Sequence, residues 1–178
     1  MNTTFRRAPF LVGVTIVALL TLASASDPAG PRAVLESPNQ RKPAAEFALK
    51  NACGKTVQLH DYRGKIVLLD FWATWCHGCK EEIPWFAEFQ RRYGEKGFAV
   101  LGVSLDDEGW KVVAPFVRSA NIPYEILLGN EETAKDYGIS NMPHAFLIDR
   151  EGRIAASYAG LVDKADLEKS IQSLLNQN

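Results

Sequence analysis

The chain has 178 residues, 47% hydrophobic and 23% charged, a balance near the globular average that excludes disorder over most of its length. Its 20 Lys+Arg and 21 Asp+Glu leave a net charge of -1, so it lacks the basic surplus that nucleic-acid binding requires. Three cysteines are too few for a disulfide-stapled miniprotein, and the length fits one domain with an appendage.

Residues 1–25 read as a targeting segment. Arg6 and Arg7 precede an uncharged, almost wholly apolar run from Phe10 to Leu22, and Ala23-Ser24-Ala25 supplies a small-x-small cleavage site. The run is shorter than the roughly 20 residues a bilayer core needs, which favours a cleaved signal peptide over the alternative, a retained membrane anchor. Either places the protein in the periplasm or elsewhere outside the cytoplasm. Residues 26–44 contain Pro28, Pro31, Pro38 and Pro43 with little apolar content and read as an extended linker. Residues 45–178 are then a single domain, long enough to bury a core without metal or disulfide help.

Within the domain, Phe47–Leu49 and Val57–Leu59 flank a turn at Asn51-Ala52-Cys53-Gly54 and predict a hairpin. Lys65–Trp72 is a continuous apolar run, as a strand covered on both faces requires. Ile83, Phe86, Phe89 and Tyr93 keep helical spacing, with Gly94 and Gly97 ending that helix. Phe98–Ser104 predicts a strand, and Gly109–Ala120 a helix with Val112, Val113, Phe116 and Val117 inward. Tyr124–Leu128 predicts a strand and Glu131–Tyr137 a short helix. Ala145–Asp149 and Arg153–Tyr158 read as antiparallel strands about an Asp-Arg-Glu-Gly turn. Asp163 caps a final amphipathic helix whose stripe is Leu167, Ile171, Leu174 and Leu175. Alternating strands and helices with an antiparallel final pair make the class α/β with a mixed sheet.

Trp75-Cys76-His77-Gly78-Cys79 follows the strongest strand and opens a helix, the setting in which C-x-x-C is a redox motif. The helix N-terminus offers unpaired N–H groups and a positive dipole end to Cys76. Thiolate is the attacking species in disulfide exchange, so a depressed pKa makes Cys76 the nucleophile. Cys79, one turn on and less exposed, resolves the mixed disulfide. A His77 imidazolium beside the Cys76 thiolate would stabilise the reduced form, with Lys80 adding a smaller push. A zinc half-site is the alternative, but four-ligand zinc needs a second Cys or His pair, and His60 and His144 are isolated. A structural disulfide is the other alternative, weak because so short a loop constrains the unfolded chain little. No metal is therefore assigned, and no cofactor beyond the redox-active Cys76–Cys79 disulfide. Asp70 lies on the covered strand, where desolvation raises a carboxyl pKa and lets it take the Cys79 proton. Cys53 is left over, in an exposed turn.

Asp70-Phe71-Trp72-Ala73-Thr74-Trp75-Cys76-His77-Gly78-Cys79-Lys80 resembles the active-site segment of thioredoxins. Gly64 to Cys76 with Cys79-Lys80-Glu81-Glu82-Ile83-Pro84 resembles more closely the extracytoplasmic TlpA/ResA group. So do Val100-Leu101-Gly102-Val103-Ser104-Leu105-Asp106, Tyr137-Gly138-Ile139 and Met142 to Gly152. The resemblance spans roughly residues 45–175. It implies a thioredoxin-like fold with an N-terminal β-hairpin and an inserted strand–helix element, and thiol-disulfide exchange outside the cytoplasm. It further implies that Pro143 is the cis-proline facing the dithiol, with the Met142 backbone pairing to substrate. It implies that Glu82 tunes the dithiol and that Pro84 kinks the active-site helix. Asp70 stands where many members of that group carry Asn, and Gly78 where Pro is common. Cys76, Cys79, Glu82 and Asp70 are thus the candidate catalytic residues, and Trp75, His77, Met142 and Pro143 the candidate substrate contacts.

The predicted function is a monomeric protein-disulfide oxidoreductase running as a reductase. Its substrates are protein thiols and disulfides, the resemblance implying the CxxCH segments of apocytochromes c among them, and a membrane protein supplies the electrons. A thiol peroxidase is the alternative. Its nucleophile needs a Pro-x-x-x-Thr-x-x-Cys setting, whereas position 69 is Leu and Thr74 lies two residues before Cys76. A redox-inert binding domain is disfavoured by the intact C-x-x-C facing Met142-Pro143.

Overall fold

The computed structural model describes Met1 and residues 34–177; the targeting segment and the first part of the predicted linker lie outside the described residues. The strands are β1 (Lys42–Pro43), β2 (Ala48–Asn51), β3 (Thr56–Gln58), β4 (Ile66–Trp72), β5 (Phe98–Ser104), β6 (Glu125–Leu128), β7 (His144–Ile148) and β8 (Arg153–Ala159). The helices are α1 (His77–Tyr93), α2 (Trp110–Ser119), α3 (Glu131–Asp136) and α4 (Lys164–Leu175). One mixed sheet runs β1-β8-β7-β4-β5-β6-β2-β3. β4, β5 and β6 are parallel, and β7 is antiparallel to β4. The architecture is an α/β fold with the mixed sheet that the element order predicts, of the thioredoxin-like kind that the family resemblance implies.

All seven residues of β4 are buried, and the alternation of side chains along a strand explains why apolar residues are needed at both parities. Ile66, Leu68 and Trp72 pack with Phe86 and Phe89 of α1, Val113 of α2 and Leu167 and Ile171 of α4. Val67, Leu69 and Phe71 pack on the opposite face with Phe47, Leu49, Leu59 and Tyr137. Asp70 is the one exception to the apolar run, on the α1-facing parity. The helix following β4, α1, is capped by Cys76, whose Sγ accepts the Cys79 N–H at 3.2 Å. Gly97 adopts φ 86°, the left-handed conformation that lets the chain turn from α1 into β5. Asp163 caps α4 by accepting the Asp166 N–H at 2.8 Å.

Two features differ from the sequence expectations. In α2 only Val113 is fully buried, with Val112, Phe116 and Val117 partly covered. The other is the proline-rich segment, whose described part packs on the domain. Lys42 and Pro43 pair with Ile154 and Arg153 of β8, and the Glu36 N–H donates to the Ala155 carbonyl at 2.8 Å. Proline cannot sit within a sheet, but β1 is its edge.

Candidate active site

The end of β4 delivers the chain into a tight turn in which the Cys76 N–H donates to the Ala73 carbonyl at 3.1 Å. Cys76 and Cys79 are joined as a disulfide with their Cα atoms 5.4 Å apart. Cys76 is 6% exposed and Cys79 1%, the order in which attacking and resolving thiols should stand. Opening the disulfide leaves the Cys76 sulfur at the N-terminus of α1, where a thiolate is favoured.

The Met142–Pro143 peptide bond is cis. Pro143 is buried and faces the motif so closely that a Cβ on Gly78 would lie 3.2 Å from its Cδ. Glycine between the cysteines is therefore fitted to the proline opposite. Trp75, 66% exposed, and half-buried Met142 flank this contact and leave an accessible rim. His77 departs from its expected place. Its side chain is 94% exposed and its Nε2 stands 3.6 Å from Glu81 one turn on. The imidazole is thus directed to solvent and a carboxylate, where water screens any effect on the dithiol. Lys80 places its Nζ over the Phe116 ring, 5.9 Å from the centroid.

Two carboxyl groups lie in the core behind the disulfide. Asp70 is 1% exposed and Glu82 is completely buried. Burial pushes the Asp70 pKa well above the ordinary range, and the Glu82 charge adds to the effect. Burial raises Glu82 to about 7, against the lowering effect of a hydrogen bond from the Val162 N–H, which donates to Oε1 at 2.7 Å. The sequence predicts a better-solvated Glu82 in the first turn of the helix, whereas it lies in the second turn of α1, whose first turn holds no acidic residue. The loop between β8 and α4 closes over it instead, and Val162 is itself buried. Asp70 Oδ1 and Glu82 Oε2 have no hydrogen-bond partner among the described residues. Tyr124, buried, completes the cluster: its pKa is driven up by desolvation and then by Asp70 and Glu82.

Sequence reasoning missed Tyr124, Val162 and Asp106. The Asp106 carboxylate accepts the Thr74 N–H at 2.9 Å, the Thr74 hydroxyl and the Ser104 hydroxyl at 2.8 Å. The only advance signal for it was its place in the Ser104-Leu105-Asp106 segment of the family resemblance. Cys53 is free and exposed in the β2–β3 turn.

Comparison with known proteins agrees with this geometry. The sequence model of the AhpC/TSA family matches residues 41–157. The chain belongs to the AhpC/TSA family. It is similar to the thiol-disulfide oxidoreductase ResA of Bacillus thuringiensis subsp. konkukian, 31% identical over 134 residues, covering 75% of this chain and 77% of the relative. It is similar to the thioredoxin-like protein YneN of Bacillus subtilis, 32% identical over 130 residues, covering 72% of this chain and 76% of that one. The crystal structure of a DsbF homologue from Corynebacterium diphtheriae superposes with a TM-score of 0.73 at 28% identity, covering 83% of this chain and 96% of that one. This AhpC/TSA member is a thiol-disulfide oxidoreductase with a redox-active Cys76–Cys79 disulfide. Its structure gathers buried Cys76, Cys79 and Pro143 with half-buried Met142 and exposed Trp75 at the site, and Asp70 and Glu82 in the core. His77 is beside the site but directed away.

Proposed function

We propose that the protein works outside the cytoplasm as a reductase of disulfides in other proteins, the cysteine pairs of apocytochrome c haem-attachment segments among them. The Cys76 thiolate attacks one sulfur of the substrate disulfide and expels the other as a thiolate, leaving a mixed disulfide. Cys79 gives its proton to Asp70 and attacks the Cys76 sulfur, which releases the second substrate thiol and closes the Cys76–Cys79 disulfide. Two electrons from the thiols of a membrane protein reopen it. The substrate strand lies along the Met142 backbone beside Pro143, with Trp75 and His77 at the rim. Glu82 sets the pH dependence of the pair. Residues 1–25 direct export or anchor the protein, and the chain acts as a monomer.

The observation that carries the reductase direction is the pair of buried carboxyl groups behind the dithiol. Oxidising dithiols owe their potential to a strongly stabilised thiolate. Here His77 is turned to solvent, and Glu82, raised to about 7, is partly ionised at neutral pH and in that form opposes a thiolate. The thiol peroxidase reading is less well supported. The Thr74 hydroxyl, the one nearest Cys76 in sequence, is committed to Asp106. Cys79→Ser should trap mixed disulfides with exported thiol proteins, and Cys76→Ser should trap none. Trapping by the Cys76→Ser variant instead would reverse the two roles. Peroxide consumption faster than disulfide reduction would favour the peroxidase.

A further inference from the structure

Below the turn that carries Cys76 lies a carboxylate that the exchange steps do not use. Asp106 follows β5 and is 7% exposed. Its partners are neutral donors: the Thr74 N–H at 2.9 and 3.2 Å, the Thr74 hydroxyl and the Ser104 hydroxyl at 2.8 Å. The neighbouring Leu105 N–H donates to the Trp72 carbonyl at 2.9 Å. The segment between β4 and α1 is thus tied at Trp72 and at Thr74 to the two residues that follow β5. Hydrogen bonds to an ionised acceptor are roughly twice as strong as neutral ones, so Thr74 is the firmer of the two attachments.

In the oxidised protein the disulfide also holds Cys76 in place. Reduction removes that bond. The sulfur then stays over the α1 N-terminus only if the turn before it stays fixed, because the stabilisation of an anion falls off within the first helical turn. We propose that Asp106 is a positioning residue of the reduced enzyme: through Thr74 it holds the Cys76 thiolate against the N–H groups that open α1. The inference rests on exchange at Cys76–Cys79 and names the group that keeps the reduced form reactive.

Simple charge removal predicts the opposite sign. Deleting a negative charge near the dithiol would favour the thiolate and lower the Cys76 pKa. Titratable groups on the elements around the pair include Asp70 from β4, His77, Lys80, Glu81 and Glu82 from α1, Tyr124 before β6, His144 next to Pro143, and Asp107 and Glu108 next in sequence after Asp106. They are unchanged in the variants below, so differences from the wild type report on Asp106 and Thr74.

The test compares wild type, Asp106→Asn, Thr74→Val and Thr74→Ser. Three quantities are read: the pH midpoint of Cys76 alkylation, the equilibrium of the dithiol with glutathione, and the urea midpoints of the oxidised and reduced forms. Asp106→Asn should raise the alkylation midpoint by about half a unit or more and shift the glutathione equilibrium about threefold or more toward the closed disulfide. Thr74→Val should move both in the same direction by less, and Thr74→Ser should restore wild-type values. A midpoint that is unchanged or lowered overturns the proposal. So does an equal loss of stability in both redox forms with a wild-type glutathione equilibrium, which is what a purely structural clamp would give. If Asp106→Asn does not fold, Thr74→Val decides by the same readouts. The wild-type arm tests the underlying reading separately, because a protein whose Cys76 is not the first thiol alkylated lacks the assigned nucleophile whatever Asp106 does.

Discussion

Asp70 and Glu82 sit where water does not reach them, and each carries a raised pKa for that reason. A carboxyl whose folded pKa exceeds its unfolded value binds its proton more tightly in the folded protein. Its contribution to stability is fully present below the unfolded value and is lost as the pH rises through the folded one. For Glu82 that window runs from the ordinary 4.5 to about 7, worth roughly 3 kcal/mol at about 1.4 kcal/mol per unit. The oxidised protein should therefore be more stable at pH 5 than at pH 8. Glu82→Gln should remove the Glu82 share of that slope between pH 4.5 and 7 and leave the share due to Asp70. Urea unfolding across this range checks it, and a slope unchanged in Glu82→Gln would contradict the assignment. The same two groups separate kinetically. Asp70→Asn should slow resolution of the mixed disulfide by tenfold or more, within the typical ~100-fold or larger contribution of a positioned base, and leave the Cys76 attack nearly unchanged. Glu82→Gln should chiefly move the pH profile. Stopped-flow reduction of a model disulfide from pH 5 to 9 distinguishes them, with apparent pKa values belonging to the coupled set.

At the scale of elements, the proline-rich segment is fastened to the domain by charge. Arg41 is buried with its Nη1 3.2 Å from Asp149 Oδ2, and Arg153 Nε reaches the same oxygen at 3.0 Å. Removing one member of a buried ion pair leaves the other uncompensated, at a cost of several kcal/mol. Because Arg153 remains on Asp149, Arg41→Met should cost less, about 2 kcal/mol. Urea unfolding measures this, and limited proteolysis should cut first near residues 34–43. This attachment was not legible in the sequence. Four prolines in 17 residues signal an extended chain, and nothing local shows that Arg41 meets a carboxylate 108 positions away. β4 and β5 were legible because their burial is written into continuous apolar runs, and α4 because Asp163 and its stripe are local signals. Within the site, the cysteines and Asp70 were legible for the same reason. The burial of Glu82 was not, since the residue covering it, Val162, lies 80 positions further on. Asp106 was hidden because Ser-Leu-Asp after a strand reads as a loop, and its bonds to Thr74 span 32 positions.

The direction of electron flow belongs to the whole molecule, because it depends on the free-energy difference between its two redox forms. The α1 N-terminus stabilises the reduced form, and so does the Asp106 clamp. The ionised fraction of Glu82 opposes a thiolate, and His77 is directed to Glu81 and solvent. On the proposed reading, the balance lies on the side of donating electrons to substrate disulfides. Equilibration of the Cys76–Cys79 pair against glutathione or dithiothreitol buffers at pH 7 gives the reduction potential directly. A reductase of this design should lie near the thioredoxin value of about -270 mV. A value near about -120 mV, as in strong periplasmic oxidants, would contradict the account and make the protein a donor of disulfides.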